Sequence, residues 1–305
     1  MGGQPCCEEA LSRESLKAMN NVSVLILTKN EQLDLAGCLE SVAWCDDINI
    51  LDSMSTDATV AIAEKYGAKV TQRDYGSNKL AFGGDEAAHR NWGLDNIPYK
   101  NRWLLVVDAD ERVTPELAQH IAKAVKSSGD IVAYSIQRRD FFMNTWLKHV
   151  QTSPFYMRLL QVGKVHYERL INPITVPHGP VGVVSGFLDH YPFSKGIHFW
   201  VERHNAYSRA EATQIIKNRA TGGTFSITKA FFEKDFHIRR FNQKELFYRL
   251  PFRPLLKFLI LYILKRGFLD GRAGFTYAKL QSIYEYLIVL KVKELENIVN
   301  QGNLR

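Results

Sequence analysis

The chain has 305 residues, of which 46% are hydrophobic and 23% charged, proportions that exclude intrinsic disorder and fibrous architectures. Its length allows one large domain or two modest ones. The net charge of +7 is unevenly spread, with −3 on residues 1–200 and +10 on residues 201–305, so a site built from carboxylates belongs in the first two-thirds and the last third is basic.

Residues 1–20 carry Glu8, Glu9 and Glu14 and no apolar stretch, unlike a secretory signal, and read as a tail. Cys6 and Cys7 are adjacent and Cys38 and Cys45 lie seven apart, spacings that fit neither a zinc site nor a disulfide framework and suit a reducing compartment. Val22–Leu27 reads as a buried strand, and Leu35, Cys38, Leu39 and Val42 follow at helical spacing. Ile48–Leu51 is a second strand, after which Ser55 or Thr56 would cap a helix carrying Val60, Ile62, Ala63 and Tyr66, with Asp57 also placed to cap. Lys69–Thr71 is a short third strand, Ala87–Leu94 a helix, and Trp103–Val107 the clearest buried strand. Thr114 followed by Pro115 opens the next helix through Leu117, Ile121 and Val125. This alternation predicts an α/β fold, a mainly parallel sheet flanked by helices. From Ile131 to about Tyr191 short strands mix with Gly, Pro and aromatics, and beyond His198 the chain turns helical and basic. Gly267, Gly271 and Gly274 would separate the apolar Leu255–Leu264 segment from a last helix over Phe275–Asn300. A boundary near residue 200 divides a domain over 21–200 from a helical region over 201–305.

Ligands of parallel α/β sheets bind beyond the carboxyl ends of the strands. There the chain places Thr28-Lys29-Asn30-Glu31, Asp52-Ser53-Met54-Ser55-Thr56-Asp57 and Asp108-Ala109-Asp110-Glu111. Two carboxylates at i and i+2 can share one hard cation while leaving positions open for phosphate oxygens, which suits Mg2+ or Mn2+. The same residues could equally be polar turns and helix caps. Their joint occurrence at three strand ends favours the site.

These three blocks resemble those of inverting family 2 glycosyltransferases with the GT-A fold, over about Asn21 to Glu211. Arg138-Arg139, Trp146-Leu147-Lys148-His149, Arg158-Leu159, the Gly186–His190 run, Arg203-His204-Asn205 with Tyr207, and Gly267-Phe268-Leu269-Asp270-Gly271 resemble in particular the branch of lipopolysaccharide core β-1,4-glucosyltransferases. The resemblance implies a nucleotide-sugar donor, most simply UDP-linked, and a glycolipid acceptor. Thr28 and Glu31 would line the nucleobase pocket and Asp52 would accept from uracil or ribose. Arg90 and Asn91 would touch the donor, Asp108 would sit near ribose or metal, and Asp110 would ligate the metal directly. His190 would complete the metal shell, unless it is a hydrogen-bonded core histidine.

Inversion needs a base on the acceptor hydroxyl. Relatives carry a His-Glu pair after the Arg-Leu segment, whereas this chain has His166-Tyr167-Glu168, one residue longer. Glu168 is the first candidate base and Asp140 the second, although Glu168 could instead pair with Arg158 or Arg169. Trp146, Lys148 and His149 would shape an acceptor pocket, or Trp146 would be core. In the basic third, Leu255, Leu256, Phe258, Leu259, Tyr262 and Ile263 form an apolar face edged by Lys257, Lys265 and Arg266. That pattern fits a helix lying on an anionic membrane surface or one packed on the protein. No nucleic-acid motif accompanies the charge. The expectation is therefore a cytoplasmic enzyme at the inner face of the membrane. The alternatives are a polyprenyl-phosphate sugar synthase and a non-catalytic membrane-binding scaffold with a glycosyltransferase shell.

Overall fold

The computed structural model describes residues 21–76, 81–168, 173–220 and 225–302. The tail over 1–20, with Cys6 and Cys7, and Arg169 lie outside the described residues. The chain divides into two compact units. One comprises the residues up to Asp140 together with Ser153–Ser194, and the other Phe141–Thr152 together with Lys195 onward.

The first unit is an α/β sheet. Its strands are β1 (Val22–Thr28), β2 (Ile48–Asp52), β3 (Lys69–Gln72), β4 (Trp103–Asp108), β5 (Glu111–Val113), β6 (Ala133–Phe142), β8 (Phe155–Gln161) and β11 (Val181–His190), and β7 (Thr145–Trp146) pairs with the last residues of β6 in the second unit. The order is β3-β2-β1-β4-β8-β6-β11-β5. The first four are parallel, as the alternating pattern predicts. Beyond β4 the sheet departs from the mainly parallel expectation: β8 runs antiparallel to both β4 and β6, and β5 antiparallel to β11. After residue 131 no helix lies between successive strands of this sheet, and neighbours in sequence pair antiparallel, while β11 still runs parallel to β6 after a long connection made of strands. A separate pair, β9 (Val165–Glu168) and β10 (Ile174–Pro177), is antiparallel.

Every residue of β1 is buried, because helices cover both faces of the sheet. Val22, Val24 and Ile26 pack with residues of α1 (Leu35–Ser41), α2 (Thr59–Lys65) and α4 (Pro115–Lys126), while Leu25 and Leu27 face Ala87 and Leu94 of α3 (Glu86–Asn96). Thr114 caps α4 as expected, its Oγ1 accepting from the Leu117 N–H at 3.2 Å. At α2 the cap differs from the expected Ser55 or Thr56. Asp57 accepts from the Thr59 N–H at 3.0 Å, because the Ser55 hydroxyl is already donated to Asp52. Cys38 and Cys45 are buried free thiols.

The second unit is helical: α5 (Gly196–Ala220), α6 (Ile227–Phe232), α7 (Phe236–Arg249), α8 (Arg253–Leu259) and α9 (Gly271–Gly302). Ala212, Ile215, Tyr248, Ile288 and Val292 form its core, and a buried Arg253–Glu285 ion pair joins α8 to α9. The last helix starts at Gly271, four residues before the expected Phe275. Gly274 lies within its first turns and lets it approach the preceding chain: a Cβ there would lie 2.0 Å from the Gly267 carbonyl oxygen. The Leu255–Leu264 segment is α8 continued by a π-helical turn over Ile260–Leu264. Its apolar residues divide. Phe258 and Tyr262 stack on each other and meet Phe275 edge to face, whereas Leu255, Leu259 and Ile263, one turn apart, are exposed. No helix among the described residues is long and apolar enough to cross a membrane.

Gly186 sits at the β-bulge of β11, with φ +100°, and a Cβ there would lie 2.9 Å from the Leu117 Cα of α4. Gly186→Ala should therefore destabilise the first unit by about 1–3 kcal/mol, the usual cost of a strained backbone position, measured as a lower urea midpoint with unchanged slope.

Candidate active site at the carboxyl ends of β1, β2 and β4

The loops after β1 and β2 are laced together. Thr28 and Asp52 are register partners, and the Thr28 hydroxyl donates to Asp52 Oδ1 at 2.7 Å. Asp52 also accepts from the Ser55 N–H, the Ser55 hydroxyl and the Gln72 amide. Both Thr28 and Asp52 are fully buried, so they shape the loops from beneath. Lys29 Nζ donates to the carbonyls of Ser53 and Met54. Asn30, at φ +56°, donates its N–H to Ser55 Oγ and accepts from the Thr56 N–H. The Glu31 N–H donates to Thr59 Oγ1 at 2.7 Å, which sets Glu31, half-buried, at the rim of these loops.

The end of β4 is held by arginines. Asp108 Oδ1 accepts from Arg90 at 2.9 Å and Oδ2 from Arg158 at 2.6 Å. Arg158, on β8, also donates to the buried Glu111 at 2.8 Å, and Glu111 in turn accepts from the Asp108 N–H at 2.9 Å. Burial alone would push the Asp108 carboxyl up, but the two guanidiniums outweigh it and hold the group well below the usual carboxylate range. Glu111 shifts the other way, since burial, with the Asp108 charge added, exceeds the pull of Arg158. Asn91 takes a different partner from its neighbour Arg90. Its amide clasps the Tyr167 backbone, donating to the carbonyl at 2.8 Å and accepting from the N–H at 2.7 Å. Arg90 lies over the Tyr167 ring at 5.4 Å. Arg90 and Asn91, expected to touch a donor, thus brace the wall of the site and tie β9 to α3.

Asp110 is the exception among these carboxylates. Its one side-chain partner among the described residues is His190 at the end of β11, with Oδ2 3.2 Å from Nε2. His190 Nδ1 lies 2.5 Å from Asp140 Oδ1, and Asp140, its side chain 2% exposed, also pairs with Arg138 at 3.0 Å. Burial would lower the His190 pKa, but Asp110 and Asp140 overcome it and raise it to about 9. Burial likewise pushes Asp110 and Asp140 upward, and the contact with His190 turns both downward. Structure therefore brings Asp110, His190 and Asp140 into one chain of contacts, and Asp108 into a neighbouring one.

Glu168 stands apart from this chain. On β9, Val165 and Tyr167 are buried while His166 and Glu168 lie on the other face. Glu168 Oε1 is 2.9 Å from His166 Nε2, and His166 Nδ1 is 2.9 Å from His178 Nε2. Its partner is thus His166 and not Arg158. Sequence reasoning missed the part played by Arg158 and Glu111. The available signal was an arginine inside the apolar strand Phe155–Gln161, which a sheet accepts only when a carboxylate meets it.

A donor set of one carboxylate and one imidazole is chemically suited to Mg2+ or Mn2+ when a diphosphate supplies the remaining oxygens. Among the described residues no three His, Cys, Asp or Glu side chains gather as a protein-only metal site. Asp108 has both oxygens engaged by arginine, so Asp110 with His190 is the pair that could hold such an ion.

Without a cation, charged His190 between two carboxylates stabilises the fold. Its folded pKa lies above the ordinary 6.5, so this contribution is complete below about pH 6.5 and is lost as pH rises through about 9. Asp140→Asn should bring the His190 midpoint, read by NMR in metal-free protein, back toward 6.5 and flatten the fall of unfolding free energy between those values.

Residues 23–187 match the family model of glycosyl transferase family 2. The chain is 25% identical over 289 residues to the lipopolysaccharide core biosynthesis glycosyltransferase LpsC of Rhizobium meliloti, covering 93% of this chain and 96% of that one. It is 29% identical over 238 residues to the uncharacterized glycosyltransferase RC0292 of Rickettsia conorii, covering 72% and 80%. Among solved structures, glucosyl-3-phosphoglycerate synthase from Mycobacterium tuberculosis overlaps 46% of this chain and 50% of its own at 17% identity and a TM-score of 0.32, so the match spans about half the length of that protein. The family model covers more than half of the sequence and encloses β1, β2, β4 and the acidic strand ends described above. The chain therefore belongs to glycosyl transferase family 2, and the protein is a glycosyltransferase.

Proposed function

We propose that this glycosyltransferase moves a hexose from a nucleotide sugar, UDP-linked, to a glycolipid of the cell envelope, with inversion and with the help of Mg2+ or Mn2+. The observation that carries the reading is Asp110, left with an unengaged oxygen beside His190 at the carboxyl edge of the sheet, while the carboxylates around it are satisfied. The acceptor class is supported by the similarity to LpsC, a lipopolysaccharide core biosynthesis glycosyltransferase.

In this mechanism the laced loops after β1 and β2 hold the nucleoside, with Thr28 and Asp52 fixing their shape and Glu31 at the rim. Asp110 and His190 are the residues that would hold the cation. Asp140 keeps the other imidazole nitrogen engaged, so that the Nε2 lone pair is turned to the ligand, a common arrangement behind ligating histidines. A cation held there would supply charge to offset that developing on the leaving nucleoside diphosphate. Arg90 and Arg158 keep Asp108 ionised and the β4 turn rigid. Glu168 takes the proton from the acceptor hydroxyl as its oxygen attacks the anomeric carbon and the bond to the diphosphate breaks. Three features support Glu168 over Asp140. Its side chain is 55% exposed, and Asp140 is already engaged by His190 and Arg138. Glu168 also follows directly on Tyr167, whose ring meets Arg90.

The exposed Leu255, Leu259, Ile263 and Leu264, beside Lys257, Lys265 and Arg266, support binding to an anionic membrane surface from the cytoplasmic side. Such a helix lies in the interface plane.

Asp110→Asn should abolish transfer and Mn2+-dependent UDP binding, followed by calorimetry, with the thermal transition preserved. Full activity in the variant would remove the metal assignment. Glu168→Gln should keep UDP affinity and lose about 10²–10⁴-fold in turnover, whereas weaker UDP binding at unchanged turnover would give Glu168 a structural role. Binding to phosphatidylglycerol vesicles should weaken as salt rises, because surface attraction is screened over about 8 Å at physiological ionic strength. Indifference to vesicles at every salt concentration would rule out the membrane surface.

A further inference from the structure

The Trp146–His149 and Gly267–Gly271 segments have no part in the donor site. Within the helical unit they meet at one carboxylate. Asp270, its side chain 2% exposed, accepts from the N–H of His149 at 2.9 Å, from the N–H of Val150 at 2.8 Å, and lies 2.6 Å from His149 Nδ1. Two backbone donors and one imidazole satisfy a carboxylate that would otherwise be too costly to bury. With Nδ1–H donated to Asp270, Nε2 is the nitrogen left for another group. The ring keeps 32% of its surface exposed, and Nε2 has no partner among the described residues. A purely structural staple would need only the two backbone bonds.

The groups beside this dyad are cationic. Lys148 adjoins His149, its Nζ 5.4 Å from the centre of the Trp146 ring. Lys265 reaches Thr152 Oγ1 at 3.4 Å, and Arg266, at φ +60°, leads into the turn that carries Asp270. Lys257 is close enough to Lys265 to add to the lowering of its pKa, after burial. Among the described residues none of Lys148, Lys257, Lys265 and Arg266 forms an ion pair, and Asp270 is fully engaged. With the one carboxylate here already engaged, cations that form no ion pair suit an anion from outside, and an imidazolium held by a carboxylate donates well to a phosphate oxygen.

We propose that His149, fixed by Asp270 and flanked by Lys148 and Lys265, is a phosphate-binding site of the helical unit, which holds a phosphate group of the acceptor. The acceptor role rests on the transferase reading above; the phosphate site does not. In that site the phosphate binds His149 as the imidazolium, whose Nδ1–H stays on Asp270 while Nε2–H donates to a phosphate oxygen; the two lysines supply charge, and Asp270 is a positioning residue.

The test uses the full chain with 15N-labelled histidine, the His149 signals being identified from their loss in His149→Gln. UDP and diamagnetic Mg2+ are present to fill the donor site, and failure of these to bind would count against the donor reading alone. Addition of inorganic phosphate or glucose 6-phosphate should shift the His149 ring signals. His149→Gln should raise the dissociation constant about tenfold or more, the loss expected for one charge-assisted hydrogen bond. Asp270→Asn should do the same while changing the His149 tautomer pattern in the free protein, an effect that mere loosening of the fold would not give. Lys148→Gln with Lys265→Gln, which leaves the staple intact, should weaken binding and flatten its salt dependence. Phosphatidylglycerol vesicles form the second arm. If vesicles shift the His149 signals and the soluble phosphates do not, the basic groups serve the membrane surface and the proposal fails. It fails equally if neither probe moves the His149 signals, or if His149→Gln binds phosphate as tightly as the parent.

Discussion

Four charged side chains at the end of β4, of which Arg90, Glu111 and Arg158 are buried, set the geometry of everything around them. Arg158 reaches across from β8 to both Asp108 and Glu111, and Arg90 reaches from α3 to Asp108. None of these charges could stay buried alone, since removing one partner of such a pair typically costs about 3–5 kcal/mol. The knot forms only when β4 and β8 are paired and α3 is docked, so folding of the sheet and shaping of the site are one event. Glu111 adds the local detail: by accepting the Asp108 N–H it closes the turn whose tip carries Asp110.

This arrangement sorts carboxylates that look alike. Asp52 is surrounded by four donors, Asp108 is taken up by arginine, and Asp140 is held between His190 and Arg138. Asp110 alone meets nothing but an imidazole among the described residues, and that imidazole comes from β11, the strand that the Gly186 bulge redirects. A group that is satisfied is a good support and a poor ligand. One that is left short of partners is ready for a cation and the phosphate oxygens that come with it.

The helical unit repeats the principle with the opposite sign. One buried acid, Asp270, is surrounded by donors, and the cations nearby form no ion pair among the described residues. Burying Arg253 against Glu285 likewise fixes α8 on α9, and with Phe258 and Tyr262 turned toward Phe275 it leaves Leu255, Leu259 and Ile263 outward. The exposed stripe is thus a product of the packing and not of the composition of the segment, in which inward and outward residues are equally apolar.

Much of this was legible before any coordinates. Apolar runs such as Val22–Leu27 and Trp103–Val107 had to be buried strands, because nothing else hides consecutive apolar side chains on both faces. Thr114-Pro115 had to start a helix, and polar residues directly after those strands had to mark the ligand edge. Other features depend on contacts between residues far apart in the chain. Spacing alone cannot distinguish Asp108 from Asp110, since the difference lies in Arg90 and Arg158, 18 and 50 positions away. It cannot show that Asp140 stands behind His190, that Asn91 clasps β9, or that Asp270 grips His149 from 121 residues on. Local sequence determined where the carboxylates and histidines lie on strands and turns, because periodicity and turn chemistry act over a few residues. Tertiary structure alone decided which of them are already satisfied, because a buried charge is balanced by whatever the fold brings against it.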